Sequence, residues 1–118
     1  MFSILVVEDN ENLNKMMSAK LKMETYNVFS AFNGEEALEV LEHEHIDLII
    51  SDVMMPGIDG YELTKTLRSA NYTMPILMIT AKNQIEDMEK GFVAGTDDYM
   101  IKPINMREMI LRVNALLR

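Results

Sequence analysis

The stretch DLIISDVMMPGIDG, residues 47–60, is the part of the sequence that decides the fold. Its first half is a short apolar run, residues 48–50, which is followed closely by a carboxylate, Asp52. A run this short and this apolar predicts a strand that is buried on both faces, as strands of parallel sheets are. Asp52 is then expected at the C-terminal tip of the strand, where open α/β sheets bind their ligands.

The bulk composition limits the classes of protein to which the chain can belong. Its 118 residues suit one domain, and 48% hydrophobic with 25% charged residues is typical of a globular protein. The formal net charge of −8 argues against direct binding of nucleic acid or of an anionic membrane. There is no cysteine, no basic N-terminal region and no apolar run near the ~20 residues of a membrane span. We therefore expect a cytoplasmic domain.

Five short apolar runs alternate with five segments of helical periodicity along the chain. Such alternation predicts a single doubly wound α/β domain, in which five parallel strands are flanked by five helices and linked by right-handed crossovers. The predicted strands are residues 3–7, 26–32, 46–51, 75–80 and 97–101, and the predicted helices begin near residues 10, 35, 59, 84 and 105.

Polar side chains mark the C-terminal ends of four of these strands. They are Glu8 and Asp9 after the first strand, Asp52 after the third, Thr80 at the end of the fourth, and Lys102 after the fifth. Because the carboxyl ends of parallel strands share one edge of the sheet, these side chains are expected to meet there. Each has an ordinary explanation on its own, such as a helix cap or a solvated charge. Their convergence is what favours a functional site.

Three carboxylates this close repel one another unless a cation lies between them. Oxygen ligands at this density suit Mg²⁺, which retains water ligands and binds phosphate oxygens. A carboxylate can itself attack phosphorus, and in phosphoryl transfer the protein mainly positions groups and neutralises charge. Lys102 would contact one phosphoryl oxygen, and the Thr80 hydroxyl or a backbone N–H another. The sequence therefore predicts a site for phosphoryl transfer to a carboxylate.

On these residues the chain resembles the receiver domain of two-component response regulators over essentially its whole length. The resemblance rests on Glu8-Asp9, on Asp52 followed by Met55-Pro56-Gly57 and Gly60, on Thr80-Ala81 and on Lys102-Pro103. It implies a single receiver domain over residues 1–118, with the strand order 2-1-3-4-5 of the flavodoxin-like, CheY-like fold.

The resemblance also implies a role for each residue of the site. Asp52 would accept the phosphoryl group from a phosphohistidine of a sensor histidine kinase. The receiver would catalyse its own phosphorylation and dephosphorylation and would not otherwise be an enzyme. Lys102 would contact the phosphoryl group, and its peptide bond to Pro103 would be cis. Mg²⁺, or Mn²⁺ in its place, would be held by Glu8, Asp9, Asp52 and the backbone carbonyl of Met54.

Thr80 and Tyr99 correspond to the switch pair of the family. On phosphorylation the hydroxyl is expected to move toward the phosphoryl group and the ring to turn inward. This movement would re-shape the face made by the fourth helix, the fifth strand and the fifth helix. Residues 97–118 are similar to receivers that continue into a winged-helix DNA-binding domain, the OmpR/PhoB type. We therefore expect a transcriptional output through a C-terminal domain that this chain does not include.

Receivers of that type form dimers through the same face by reciprocal salt bridges, and this chain departs from the pattern. Asp98 and Arg112 stand where one such pair is expected. The departures are Met88 in place of a base opposite Glu108, Val93 in place of an acid, and Asn114 in place of a base. Because exposed ion pairs contribute only ~0.2–1 kcal/mol each, these changes weaken the predicted dimer without forbidding it.

Several alternatives remain open on the sequence alone. The chain can be a stand-alone receiver that acts in a phosphorelay or docks on a partner, or a degenerate receiver that takes no phosphate. A metal-dependent phosphatase would have a second acid two residues after its nucleophile, where this chain has Met54. A flavin module would need a phosphate-binding loop after the first strand, where this chain has the acidic residues 8–11. In a receiver, long side chains at Met54 and Lys82 predict slow hydrolysis of the aspartyl phosphate.

Overall fold

The structure is a computed structural model that describes residues 1–81 and 85–118. Five parallel strands form one sheet in the order β2-β1-β3-β4-β5, which confirms the predicted fold. The strands are β1 (Ser3–Val7), β2 (Asn27–Ala31), β3 (Leu48–Asp52), β4 (Ile76–Thr80) and β5 (Asp98–Ile101). The helices are α1 (Glu11–Met23), α2 (Gly34–His43), α3 (Gly60–Ser69), α4 (Ile85–Ala94) and α5 (Met106–Leu116).

The core has two main layers because successive side chains of a strand point to opposite faces of the sheet. In β1, Ile4 and Val6 pack in the layer that contains α1 and α5, whereas Leu5 and Val7 pack in the layer that contains α2 and α3. Every residue of β3 and β4 is buried. Polar groups can therefore reach solvent only at the ends of these central strands, which is where the site lies.

Side-chain caps determine where four of the helices begin. Asn10, Asn33 and Asn105 each accept a hydrogen bond from the N–H three residues later, at 2.8–3.0 Å. Asp59 and Glu62 form a reciprocal capping box at the start of α3. These caps satisfy N–H groups that have no partner within the helix. They therefore fix the βα loops that border the C-terminal edge of the sheet.

The bounds of β1 are as predicted, and those of the other elements differ from the predicted ones by at most two residues. Asp52 is the last residue of β3, which confirms its place at the C-terminal tip of the strand, although the strand extends one residue beyond its predicted end at residue 51. The predicted start of the fourth helix and Lys82 both lie outside the described residues. Among the residues that are described, no helix has the length and apolar character that a membrane crossing requires.

Candidate functional site

Three acidic side chains meet at the C-terminal edge of the sheet, as the sequence predicts. One oxygen each from Glu8, Asp9 and Asp52 lies within 4.8 Å of the other two. Glu8 and Asp52 are buried, with exposed fractions of 0% and 3%, whereas Asp9 is exposed to solvent. The cluster therefore presents carboxylate oxygens at the bottom of a site that is open on the side of Asp9.

Lys102 brings a positive charge into this acidic cluster from the loop after β5. Its Nζ lies 2.8 Å from Asp52 Oδ2 and 3.3 Å from Glu8 Oε1. Burial lowers the pKa of Lys102, but the hydrogen bond and charge of Asp52, together with Glu8, outweigh this and raise the pKa above its ordinary value. The backbone N–H of Lys102 donates to the carbonyl of Thr80 at 2.8 Å. The peptide bond between Lys102 and Pro103 is cis, as the resemblance implied.

The carboxyl group of Glu8 has a raised pKa. Burial, with a smaller contribution from the charge of Asp52, raises its pKa to about 7, although the N–H of Asn10 and the ammonium of Lys102 act in the opposite direction. Its Oε2 accepts from Asn10 N–H at 3.0 Å, while its buried Oε1 accepts no aligned hydrogen bond from the described residues and lies 3.3 Å from the Lys102 ammonium. A buried oxygen of this kind, in an all-oxygen donor set, fits a hard cation such as Mg²⁺.

Thr80 and Met54 flank Asp52 on two sides. Asp52 is in register with Ile79 of the neighbouring strand, so Thr80 lies one residue further toward the same edge, where it is fully buried. The backbone N–H of Met54 donates to Asp52 Oδ1 at 3.3 Å, and the Met54 side chain is largely exposed at the rim. A backbone N–H therefore contacts the carboxylate that the sequence singled out, and a buried threonine ends the neighbouring strand.

Two further residues hold the cluster in place: Asn14, which the sequence analysis did not select, and Gly60, which it named as part of the motif without a role in the site. Asn14 of α1 is buried, and its side-chain amide donates to the carbonyls of Glu8 and Ala31 at 3.0 and 3.1 Å. A Cβ atom on Gly60 would lie 2.4 Å from the carbonyl oxygen of Asp52, so only glycine allows α3 to approach β3 this closely. The signal for Asn14 was a polar residue at a position of α1 that the helical periodicity places inward, beside Met17 and Leu21.

Tyr99 lies inward, between the sheet and α4. Its side chain is 5% exposed and belongs to a small cluster with Val53, Tyr61 and Met78. The Tyr99 hydroxyl donates to the Tyr61 hydroxyl at 3.0 Å, and the Phe92 ring packs edge-on against Tyr99 with 5.5 Å between centroids. The sequence analysis assigned no role to Tyr61. A buried tyrosine needs a partner for its hydroxyl, which is the signal that could have pointed to such a pair.

The predicted dimer face is held by ion pairs within one chain. Arg112 donates two hydrogen bonds from Nη1 to the carboxylate of Asp98, at 3.0 and 3.1 Å, and one from Nε to Glu108 at 3.0 Å. These two acids raise the pKa of Arg112. Glu108, for which the sequence analysis expected no partner, is therefore paired inside its own chain. Asn114 is likewise engaged, because its side-chain carbonyl accepts from the Tyr26 hydroxyl.

The comparison with known proteins agrees with this geometry. The response regulator receiver domain family matches residues 4–114 of the chain. The chain belongs to this family. It is therefore a signalling domain of two-component response regulators, in which the acidic cluster, Lys102 and Thr80 occupy one edge of the sheet.

Relatives of this receiver include both longer regulators and proteins of its own length. The heme response regulator HssR of Staphylococcus epidermidis is 38% identical over 118 residues, which are 100% of this chain and 52% of HssR. The chain thus spans about half the length of the curated relatives it matches. DrrB of Thermotoga maritima, an OmpR/PhoB homologue, is 32% identical with a TM-score of 0.91, covering 99% of this chain and 52% of DrrB. The chemotaxis protein CheY4 of Vibrio cholerae is 32% identical with a TM-score of 0.95, covering 99% of both chains.

Proposed function

We propose that this receiver is a phosphorylation-activated switch in which Asp52 accepts a phosphoryl group from the phosphohistidine of a sensor histidine kinase. The observation that carries the proposal is the position of Asp52, a buried carboxylate with the Lys102 ammonium 2.8 Å away and two further acids beside it. A carboxylate that only caps a helix or carries a surface charge does not need to be buried beside an ammonium group and two further acids.

Phosphoryl transfer in this site needs positioning and charge neutralisation. One carboxylate oxygen of Asp52 would form a bond to phosphorus as the bond from phosphorus to the donor nitrogen breaks, and the nitrogen would keep the electron pair. The Lys102 ammonium, now paired with Asp52 and Glu8, would turn its charge toward the phosphoryl oxygens. The Thr80 hydroxyl would contact another of these oxygens. Attack by water on phosphorus would later break the bond between phosphorus and the Asp52 oxygen, releasing inorganic phosphate and restoring the free carboxylate.

The acidic cluster would hold Mg²⁺, or Mn²⁺ in its place, through Glu8, Asp9, Asp52 and the backbone carbonyl of Met54. The support is the all-oxygen donor set and the buried Glu8 oxygen described above. When bound, the ion supplies positive charge that offsets the charge of the carboxylates and of the phosphoryl oxygens.

The intact mass of the protein after incubation with acetyl phosphate tests this proposal. We expect the mass to rise by one phosphoryl group when Mg²⁺ is present, and to stay unchanged when the metal is removed by a chelator. A folded protein that gains no phosphoryl group at saturating Mg²⁺ and acetyl phosphate would contradict the proposal and favour a degenerate receiver.

The output would arise on the face formed by α4, β5 and α5. Phosphorylation would bias the Thr80–Tyr99 pair and re-shape this face, and a winged-helix DNA-binding domain outside this chain would convert the change into control of transcription. The similarity to the OmpR/PhoB homologue DrrB, of which the chain covers about half, supports this output. A receiver of this pathway would act in the cytoplasm.

Dimer formation through α4, β5 and α5 is the second part of the proposed output. Since Arg112 already binds Asp98 and Glu108 in its own chain, exchanging these pairs between subunits adds few new ion pairs. The exposed apolar side chains of α4, chiefly Val93 at 89% exposure, would then supply the contact.

We therefore expect the phosphorylated protein to form a weak dimer with little dependence on salt. Val93→Lys should weaken it about tenfold, because a buried ammonium would be left without a partner. Met16→Lys, at an exposed methionine of α1, is the matched control and should leave the dimer unchanged. Sedimentation velocity measures both. A wild-type protein that stays monomeric at high concentration, with phosphorylation confirmed by mass, would contradict the dimer.

A second candidate function is a stand-alone receiver that acts in a phosphorelay or docks on a partner. The observation that favours it is the match to CheY4, which this chain covers over 99% of its length. The two candidates share the chemistry at Asp52 and differ only in the output.

A further inference from the structure

We infer that Tyr61 is a positioning residue that holds the Tyr99 ring in its inward position before Asp52 is phosphorylated. This inference rests on the proposed switch role of Tyr99 and names a residue that regulates it. The contacts between α3, α4 and β5 would then keep Tyr99 inward in the unphosphorylated protein, and phosphorylation would only stabilise that position further.

The direct contact is the hydrogen bond between two buried phenols. Tyr99 donates to the Tyr61 hydroxyl at 3.0 Å, and each side chain is 5% exposed. A buried hydroxyl that loses its partner costs free energy, so the bond favours the conformation in which both rings stay inside. If Tyr99 turned outward, the Tyr61 hydroxyl would lose this donor while its ring remained between α3 and the sheet.

Helix α4 is shaped to receive the inward ring. A Cβ atom at Gly91 would lie 1.8 Å from the Tyr99 hydroxyl oxygen and 2.6 Å from the carbon that bears it. No side chain other than hydrogen is therefore compatible with the inward Tyr99 at position 91. The neighbouring residue Phe92 packs its ring edge-on against Tyr99, a geometry that is favourable for aromatic pairs.

Tyr61 is itself held against α4 by a cation. The ammonium of Lys90 lies 5.0 Å from the centroid of the Tyr61 ring, within the range of a cation–π interaction. This contact ties α3 to α4 on the outer side of the Tyr61 ring. Tyr61 thus contacts Lys90 with its ring and Tyr99 with its hydroxyl, so one side chain of α3 links α4 to β5.

The test measures how accessible the Tyr99 phenol is in the unphosphorylated protein. Tetranitromethane nitrates accessible phenols, and peptide mass spectrometry reports the rate at Tyr99 separately from the other tyrosines. Tyr61→Phe keeps the ring but removes the hydroxyl that accepts from Tyr99, and should raise the nitration rate of Tyr99 about fivefold. Tyr72→Phe is the matched control, because its hydroxyl contacts the Leu41 carbonyl at 3.4 Å, and it should leave Tyr99 unchanged.

Gly91→Ala is a second variant that tests the inward position of Tyr99 from the side of α4. Gly91→Ala places a methyl group where the Tyr99 hydroxyl lies, and should raise nitration of Tyr99 more than Tyr61→Phe does. Circular dichroism verifies that each variant is folded. Nitration of Tyr99 at the wild-type rate in folded Tyr61→Phe would overturn the inference.

The result can be read independently of the proposed phosphorylation. Nitration is measured with neither acetyl phosphate nor Mg²⁺ present, so its outcome does not depend on whether Asp52 accepts a phosphoryl group. A wild-type protein that gains no phosphoryl mass but shows faster Tyr99 nitration in Tyr61→Phe would defeat the proposed function and leave the contact between the two tyrosines established. Normal phosphorylation with unchanged nitration would defeat only the role of Tyr61.

Discussion

Asp52→Asn should abolish phosphoryl incorporation from acetyl phosphate, and the intact mass should remain that of the unmodified chain. An amide cannot act as the nucleophile that a carboxylate provides, while its similar shape preserves the packing around this buried position. The substitution also removes the negative charge that pairs with Lys102 at 2.8 Å. The expected loss is at least about a hundredfold in rate, because Asp52 is the buried acid nearest to the Lys102 ammonium, at 2.8 Å against 3.3 Å for Glu8.

Asp59→Asn is the matched control for this experiment. Asp59 caps α3 by accepting from Glu62 N–H at 2.8 Å, and asparagine is an equally good cap. This variant should therefore fold and take up a phosphoryl group at the wild-type rate. Incorporation into Asp52→Asn at the wild-type rate would place the acceptor on another residue and would show that the site assignment is wrong.

In metal-free buffer, the free energy of unfolding should fall by roughly 3 kcal/mol as the pH rises from about 4.5 to about 7. Over this range Glu8 ionises in the unfolded chain, where the pKa of its carboxyl group is near 4.5. In the folded protein it remains protonated, because burial raises this pKa to about 7. The folded state then binds more protons than the unfolded state, so stability decreases with rising pH. Above the folded pKa the loss is complete.

Urea unfolding with a chelator present measures this slope, and two variants identify its source. Glu8→Gln should remove most of the dependence and should stabilise the metal-free protein at pH 7.5, because the amide carries no charge to bury. Glu39→Gln, at an exposed position of α2, should retain the wild-type slope. Adding Mg²⁺ should raise the free energy of unfolding of the wild-type protein at pH 7.5, and should raise that of Glu8→Gln by a smaller amount. A wild-type stability that is flat between pH 4.5 and 7.5 would contradict the prediction.

The arrangement of the strands could be predicted because the information is local. A central parallel strand is buried on both faces and is therefore apolar over most of its length, so the runs of β3 and β4 stand out in the sequence. The polar residues that follow such runs must lie at one edge of the sheet, and this placed Glu8, Asp52 and Lys102 together before any contact was known. The distances of 2.8 and 3.3 Å from Lys102 to the two acids agree with that expectation.

The sequence by itself therefore determined the fold, the edge of the sheet that carries the site and the residue types that meet there. Only the tertiary structure decided which side chains pair with which. In the structure Tyr99 is hydrogen-bonded to Tyr61, 38 positions away in the sequence. Arg112 forms ion pairs with two acids of its own chain, which the sequence analysis expected to be available to a second subunit. The physical reason is that hydrophobic periodicity records which face of an element is buried, whereas a hydrogen bond depends on the distance between elements that only packing sets.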